Sequence, residues 1–308
     1  MADHSMPYFP GCTLCQKALG FDVSARAVLA ALGLELRELK SWNCCGATFP
    51  LSTENLLDLT GPARVLAGAR LEGARLAVAC ATCYNVLRRT NRLLSLDGDK
   101  REKINFFIES NYTGDLEVVH LIDLLHREVG TDRLRRAVRR PLNGLKVASY
   151  YGCLLLRPVD EVGFDDLENP RILDELMAAA GATPVEYPHR GECCGGYLAV
   201  RSEEAAMAAS HRVLKAAAMA GADLVVTSCP LCQFNLDRRQ GEMLRREAGF
   251  RTLPVLYFTQ LLGLALGLDP SGYLLDRHHV DARELLGLAH LDGAGREGAE
   301  QNTKREGA

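Results

Sequence analysis

The sequence predicts an α/β protein made of two tandem-duplicated halves. Each half is a small parallel sheet flanked by helices, and pseudo-two-fold symmetry relates them. Three observations lead there. A pattern of five cysteines is written twice along the 308 residues. Short, near-continuous apolar runs recur in the same order in both halves, as expected of strands buried on both faces of a parallel sheet. Helical stretches separate these runs, and strict strand–helix alternation is the signature of an α/β domain.

Each element has its own signal. Met6-Pro-Tyr-Phe before Pro10-Gly11-Cys12, and Lys146-Val-Ala-Ser-Tyr-Tyr before Gly152-Cys153, are strands stopped by glycine. Val23–Leu32 and Pro170–Ala180 are helices, ended by Gly33 and Gly181. Short strands follow at Leu34–Leu39 and Thr183–Tyr187. Longer helices come next, Glu54–Ala74 with a kink expected at Gly61-Pro62, and Ser202–Ala220. Arg75–Ala79 and Asp223–Thr227 are the strands leading into the last cysteines of each copy. Leu116–Leu125 matches Leu253–Leu262 in its apolar positions, and each is a strand turning into a helix. The division falls near Arg139–Gly144, giving domains 1–142 and 143–290. Residues 291–308, rich in Gly, Ala, Glu and Arg, are expected to be a disordered tail.

Composition narrows the function. With 47% hydrophobic and 24% charged residues the chain is globular, and its net charge of −3 gives no reason to expect nucleic acid. The most apolar stretch, Leu253–Leu268, is interrupted by Thr259 and Gln260, so no membrane insertion is expected. The N-terminus lacks the layout of a secretion signal, so a cytoplasmic protein is expected. In a reducing compartment clustered thiols are metal or redox sites before they are disulfides. No glycine-rich phosphate loop follows a strand, so neither flavin nor nucleotide is expected in this chain.

The first copy of the motif is Cys12, Cys44-Cys45-Gly46 and Cys80-x-x-Cys83; the second is Cys153, Cys193-Cys194-Gly195 and Cys229-x-x-Cys232. From the adjacent pair to the CxxC the step is 35 residues in both copies, and from the lone cysteine to the pair it is 32 and 40. Lone cysteine and CxxC both follow predicted strands, where ligand sites of open α/β sheets form and where helix N-termini favour thiolate. Five thiols exceed what a tetrahedral zinc or an ordinary cubane takes. Adjacent cysteines also reach one small ion with difficulty, whereas a larger iron–sulfur assembly accepts them. A zinc-stabilised scaffold is the alternative from another class.

At these residues the chain resembles the HdrB subunit of heterodisulfide reductase, of the family of tandem cysteine-rich CCG domains. Local text agrees at Gly11-Cys12, Tyr151-Gly152-Cys153, Arg157-Pro158, Cys229-Pro-x-Cys232 and Leu256–Gly267, and the similarity runs from about residue 7 to 290. The resemblance implies a catalytic subunit with two noncubane 4Fe–4S clusters, which cleave a disulfide reductively with two electrons. Cys12, Cys44, Cys45, Cys80 and Cys83 would hold the first cluster; Cys153, Cys193, Cys194, Cys229 and Cys232 the second. It also implies ferredoxin-like and flavin-containing subunits of the same complex as partners. Relatives include an electron-transfer role in quinone-linked 2-hydroxy-acid or succinate oxidoreductases, which often lose cysteines from one copy; both are complete here. At Leu154, and in Cys-Cys-Gly-Ala-Thr-Phe-Pro of the first copy, the chain departs from the family text. That leaves a bacterial disulfide open beside the mixed disulfide of coenzymes M and B.

The remaining candidates have bland alternatives. Arg157, Arg190 and Arg201 lie near second-copy cysteines and suit an anionic substrate, or are solvated surface arginines. His189, four residues before Cys193, is a proton source for product release, or a loop histidine. Cys15 is a spare thiol or a substitute ligand, and His278-His279 is expected to be solvated.

Overall fold

The computed structural model describes residues 5–47 and 56–289. The predicted tail 291–308 and residues 48–55, which follow the first adjacent cysteine pair, lie outside that range.

The first half runs β1 (Ser5–Phe9), α1 (Leu19–Ala31), β2 (Glu35–Glu38), α2 (Thr60–Glu72), β3 (Arg75–Val78), α3 (Ala81–Leu96), α4 (Gly98–Ile108), β4 (Glu117–His120), α5 (Leu121–Asp123) and α6 (Thr131–Ala137). The second runs β5 (Lys146–Tyr150), α7 (Val159–Val162), α8 (Ile172–Ala179), β6 (Thr183–Pro184), α9 (Glu203–Met219), β7 (Leu224–Thr227), α10 (Pro230–Arg238), α11 (Gln240–Arg246), β8 (Val255–Tyr257) and α12 (Phe258–Ala265). Each half builds one four-stranded sheet, ordered β2-β1-β3-β4 and β6-β5-β7-β8, and every pairing is parallel. The fold is therefore a duplicated α/β protein. Registers match between copies: Val78 pairs His120 as Thr227 pairs Tyr257.

Central strands β3, β5 and β7 are buried almost throughout, which accounts for their apolar runs. Strand β6 is shorter than expected, ending at Pro184, although Val185 still donates to the Val147 carbonyl at 2.9 Å. The expected kink at Gly61-Pro62 is a correction. A 3-10 turn covers Leu56–Leu59, and α2 starts at Thr60, so Pro62 sits in the first turn. There its missing N–H removes no helical hydrogen bond, and the pair marks a beginning instead of a bend.

The halves pack reciprocally. Helix α1 of the first lies on α12 of the second, while α8 of the second lies on α6 and α5 of the first. Phe21 stacks on Tyr257 at 4.4 Å between centroids, and buried Ser24 meets Thr259 at 2.7 Å between hydroxyls. This exchange aims the carboxyl ends of both sheets at each other. A second correction concerns His278: its side chain is 5% exposed, not solvated. It contacts Gln233, Gln260 and the Val255 carbonyl, while the Asp237 carboxylate accepts from the backbone of His279 and Val280. That network ties the segment after α12 to α10.

Candidate metal centre

Every cysteine of the duplicated motif emerges at the carboxyl edge of a sheet. Cys12 and Cys153 follow β1 and β5; Cys80 and Cys229 are the N-cap residues of α3 and α10, directly after β3 and β7. The strand-to-helix turn thus sets each CxxC at a helix N-terminus.

The ten sulfurs form one continuous, palindromic run. Cys12 lies 3.8 Å from Cys44, which neighbours Cys45; Cys45 lies 3.3 Å from Cys83, which bonds Cys80. The Cys80 and Cys229 thiols, both free, neighbour each other across the two halves. From there the order mirrors itself through Cys232, Cys194 at 3.5 Å, Cys193 and Cys153. Cys45, Cys80, Cys83, Cys194, Cys229 and Cys232 are buried, Cys153 is half-buried, and Cys12, Cys44 and Cys193 are exposed.

Two glycines show how closely the backbone approaches. A Cβ on Gly11 would stand 3.1 Å from the Cys83 sulfur, and one on Gly152 3.3 Å from that of Cys232; their φ values are +76° and +68°. Only glycine takes that backbone while leaving room for the sulfur. The glycine after each adjacent pair also serves the site: Gly46 donates its N–H to the Cys44 sulfur at 3.4 Å, and Gly195 to that of Cys193 at 3.3 Å.

Crowding dominates the electrostatics. The thiols of Cys44, Cys80, Cys83, Cys153 and Cys232 are pushed up, first by hydrogen bonds to a neighbouring cysteine, with burial adding to it. Cys45, Cys193 and Cys229 move down, led by bonds from Cys44, Cys153 and Cys232 respectively. So the protein by itself supplies too little positive charge to keep all ten as thiolates. A cationic core bound among these sulfurs would invert this local pKa order. Ten thiols in two sets of five fit iron–sulfur clusters. Among the described residues, no three His, Cys, Asp or Glu groups are placed to hold a single metal ion.

A narrow cavity, about 20 Å³, opens on this run. All five second-copy cysteines line it, with Thr82 of the first half and Tyr151, Leu154 and Tyr197 of the second. That is room for about one water, so it marks where the sulfurs meet rather than a substrate pocket. Tyr197 also bridges the halves, its hydroxyl donating to the Ala47 carbonyl at 2.9 Å.

The other predicted site residues are placed less uniformly, and none lines this cavity. Arg190 is buried: its guanidinium pairs with Asp174 at 2.7 Å and bonds Asn169, while its carbonyl accepts from Tyr151 and Gly152. Its charge is matched inside the fold, where it fixes the loop before Cys153. Arg157 is exposed and donates to the Gly191 carbonyl at 2.6 Å; Arg201 is exposed at the end of a 3-10 turn. His189 sits in a turn with φ +71°, its ring bonded to Glu192 at 2.8 Å. Cys15 is exposed, with its thiol pushed up, burial first among the causes.

The structure adds residues with no cysteine signature. Buried Asn85 on α3 donates to the carbonyls of Leu154 and Arg157, at 2.7 and 2.6 Å, and so holds the loop after Cys153. Thr82 and Asn235 touch cysteine sulfurs. The available signal was a polar residue in the first turns of a helix that otherwise buries itself.

Residues 6–88 and 147–237 each match the model of the CCG cysteine-rich domain. The chain belongs to this family. Similarity to the HdrB subunits of heterodisulfide reductases extends over most of it. It is 31% identical to the HdrB subunit of the Methanosarcina acetivorans ferredoxin/F420H2-dependent CoB-CoM heterodisulfide reductase, over 93% of this chain and 97% of that one. It is 32% identical to an HdrB-like heterodisulfide reductase protein of Archaeoglobus profundus, over 85% and 91%. Identity reaches 36% with the 8-methylmenaquinol:fumarate reductase membrane anchor subunit of Wolinella succinogenes, over 90% and 98%. In fold alone, it is similar to the crystal structure of a hypothetical protein from Helicobacter pylori, with a TM-score of 0.70 at 13% identity; this chain covers 52% of that one. Despite the name of the Wolinella relative, no helix among the described residues is long and apolar enough to cross a membrane.

Proposed function

We propose that the chain is the cluster-bearing catalytic subunit of a heterodisulfide-reductase-like complex. In it Cys12, Cys44, Cys45, Cys80 and Cys83 hold one noncubane 4Fe–4S cluster, and Cys153, Cys193, Cys194, Cys229 and Cys232 hold a second. The observation that carries this reading is the gathering of two matched five-cysteine sets, in which Cys45 meets Cys83 at 3.3 Å and Cys194 meets Cys232 at 3.5 Å. When bound, the clusters supply two one-electron centres beside each other, and cleaving a disulfide into two thiolates takes two electrons.

The chain's own residues do the rest. The strand-to-helix turns fix the sulfurs, Gly11 and Gly152 admit them closely, and Asn85 holds the loop beside Cys153. Exposed Arg157 and Arg201 suit an anionic disulfide, and His189 with Glu192 is the candidate proton supply. Electrons would arrive from the ferredoxin-like and flavin-containing subunits of the complex, in the cytoplasm.

A second reading is favoured by the Wolinella relative: an electron-transfer subunit of a quinol-linked fumarate or succinate oxidoreductase. One experiment separates the two. Protein purified without oxygen is assayed for iron and sulfide, then followed by electron paramagnetic resonance as a disulfide or a quinol is added. About eight irons per chain are expected for two four-iron clusters. A signal induced by thiol or disulfide supports the first reading, a response to quinol alone the second, and colourless zinc protein overturns both.

A further inference from the structure

The two copies treat their sulfurs differently, and the difference among buried donors lies in two side chains. Cys80 and Cys83 correspond to Cys229 and Cys232 at a constant step of 149 residues. The same step pairs Thr82 with Leu231 and Val86 with Asn235. Thr82, from the first copy, places its hydroxyl 3.3 Å from the Cys229 sulfur of the second; both are buried. A thiolate ligand has no hydrogen to give, so the hydroxyl is then the donor. Leu231 has nothing to return to Cys80. Asn235, fully buried, donates its amide to the Cys194 sulfur at 3.6 Å, and Val86 at the matching place donates nothing. The backbone bonds from Gly46 and Gly195 are matched between copies. In the first set, among the described residues, the Thr13 hydroxyl stands 3.8 Å from the Cys12 sulfur at an exposed place; the buried side-chain donors to the ligand sulfurs serve only the second set.

A donor beside an anionic sulfur stabilises the more negative, reduced state of the group it holds, and so raises its reduction potential. We propose that Thr82 and Asn235 raise the potential of the second cluster and leave the first untouched, so that the two sites are electronically distinct. An electron added to the pair is thereby biased toward the second set, whose five cysteines line the cavity. This inference rests on both sets holding clusters.

The test is an anaerobic redox titration followed by electron paramagnetic resonance, with iron counted in every sample. The second-site signal is the one that disappears in Cys194→Ser. Thr82→Val and Asn235→Leu are each expected to shift the reduction equilibrium of that signal about tenfold toward the oxidised form. For a one-electron couple this is about 59 mV. The other signal stays in place. Leu231→Thr, which offers the first set a hydroxyl, is expected to raise the other signal instead. Cys12 is exposed where Cys153 is half-buried, but these substitutions leave that difference unchanged and isolate the hydrogen bonds. Full iron with unmoved potentials, or both signals moving together, overturns the inference. Thr82→Val preserves side-chain shape and decides the matter should Asn235→Leu lose iron. A wild-type protein without iron refutes the underlying cluster assignment instead.

Discussion

The first and second halves share strand order, register and all five cysteines, yet differ at several polar positions around them. Position 85 is an asparagine gripping the opposite half, and its counterpart Phe234 is 40% exposed. Position 120 is a buried histidine, and its counterpart Tyr257 stacks on Phe21. The second set of sulfurs lines the cavity and the first does not. What duplication kept is the ligand cage; what it released is the surroundings. That is the pattern expected if both sites must hold the same group but use it differently.

The strongest way to break the comparison is to remove one sulfur from each copy. Cys45 and Cys194 are equivalent, buried and central in their sets. We expect Cys45→Ser and Cys194→Ser each to lose about half of the iron, and the double variant to lose all of it. Iron and sulfide analysis checks this. Total loss in either single variant would mean that one shared assembly, not two, spans the halves.

A smaller effect separates positions 85 and 234. Asn85→Leu removes the donor to two part-buried carbonyls, and each acceptor left unpaired costs about 1–2 kcal/mol, the lower part of the range for buried ones. Urea unfolding should show a loss of about 2–4 kcal/mol. Phe234→Ala, at an exposed place, should stay within about 1 kcal/mol. Equal costs would mean that the loop after Cys153 is held by something other than Asn85.

These contrasts mark where the sequence stops being legible. Strands and ligands could be read in one dimension because each has a local cause. Buried parallel strands are apolar throughout, glycine must precede Cys12 and Cys153, and the cysteine spacing repeats. Helix α4 has only Ile104 buried and so carries little periodic signal. Pro62 suits a kink and a first turn equally, and only the start of α2 decides between them. Arg190 and His278 look solvated or substrate-facing until Asp174 and Asp237, distant in sequence, are brought to them. Thr82 and Asn235 have partners that only the fold supplies. For Arg190, His278, Thr82 and Asn235 alike, what is lost is the long-range polar partner.

The mildest test concerns acid. His120 ends β4 in the first half, fully buried, and burial lowers its pKa from 6.5 to about 3. Its Nδ1 accepts from the Ile122 N–H at 3.2 Å, which caps the following helix. In the second half the equivalent cap is different: the Gln260 side chain accepts from the Tyr257 N–H at 2.9 Å, and its amide nitrogen meets the His278 ring at 3.1 Å. The unfolded chain takes up a proton at this histidine near pH 6.5, whereas the folded chain does so only near 3. Between those values the unfolded state holds more protons, so stability falls as pH falls. The slope is about 1.4 kcal/mol per pH unit for this one group. His120→Asn keeps an acceptor for Ile122 but cannot titrate. Whatever its stability at pH 7, we expect the variant to lose less than the wild type between pH 6.5 and 5.5, by about 1 kcal/mol, in urea unfolding at both values. An unchanged slope would mean that the histidine is already protonated in the fold, and that this edge of the first sheet is wetter than its counterpart in the second.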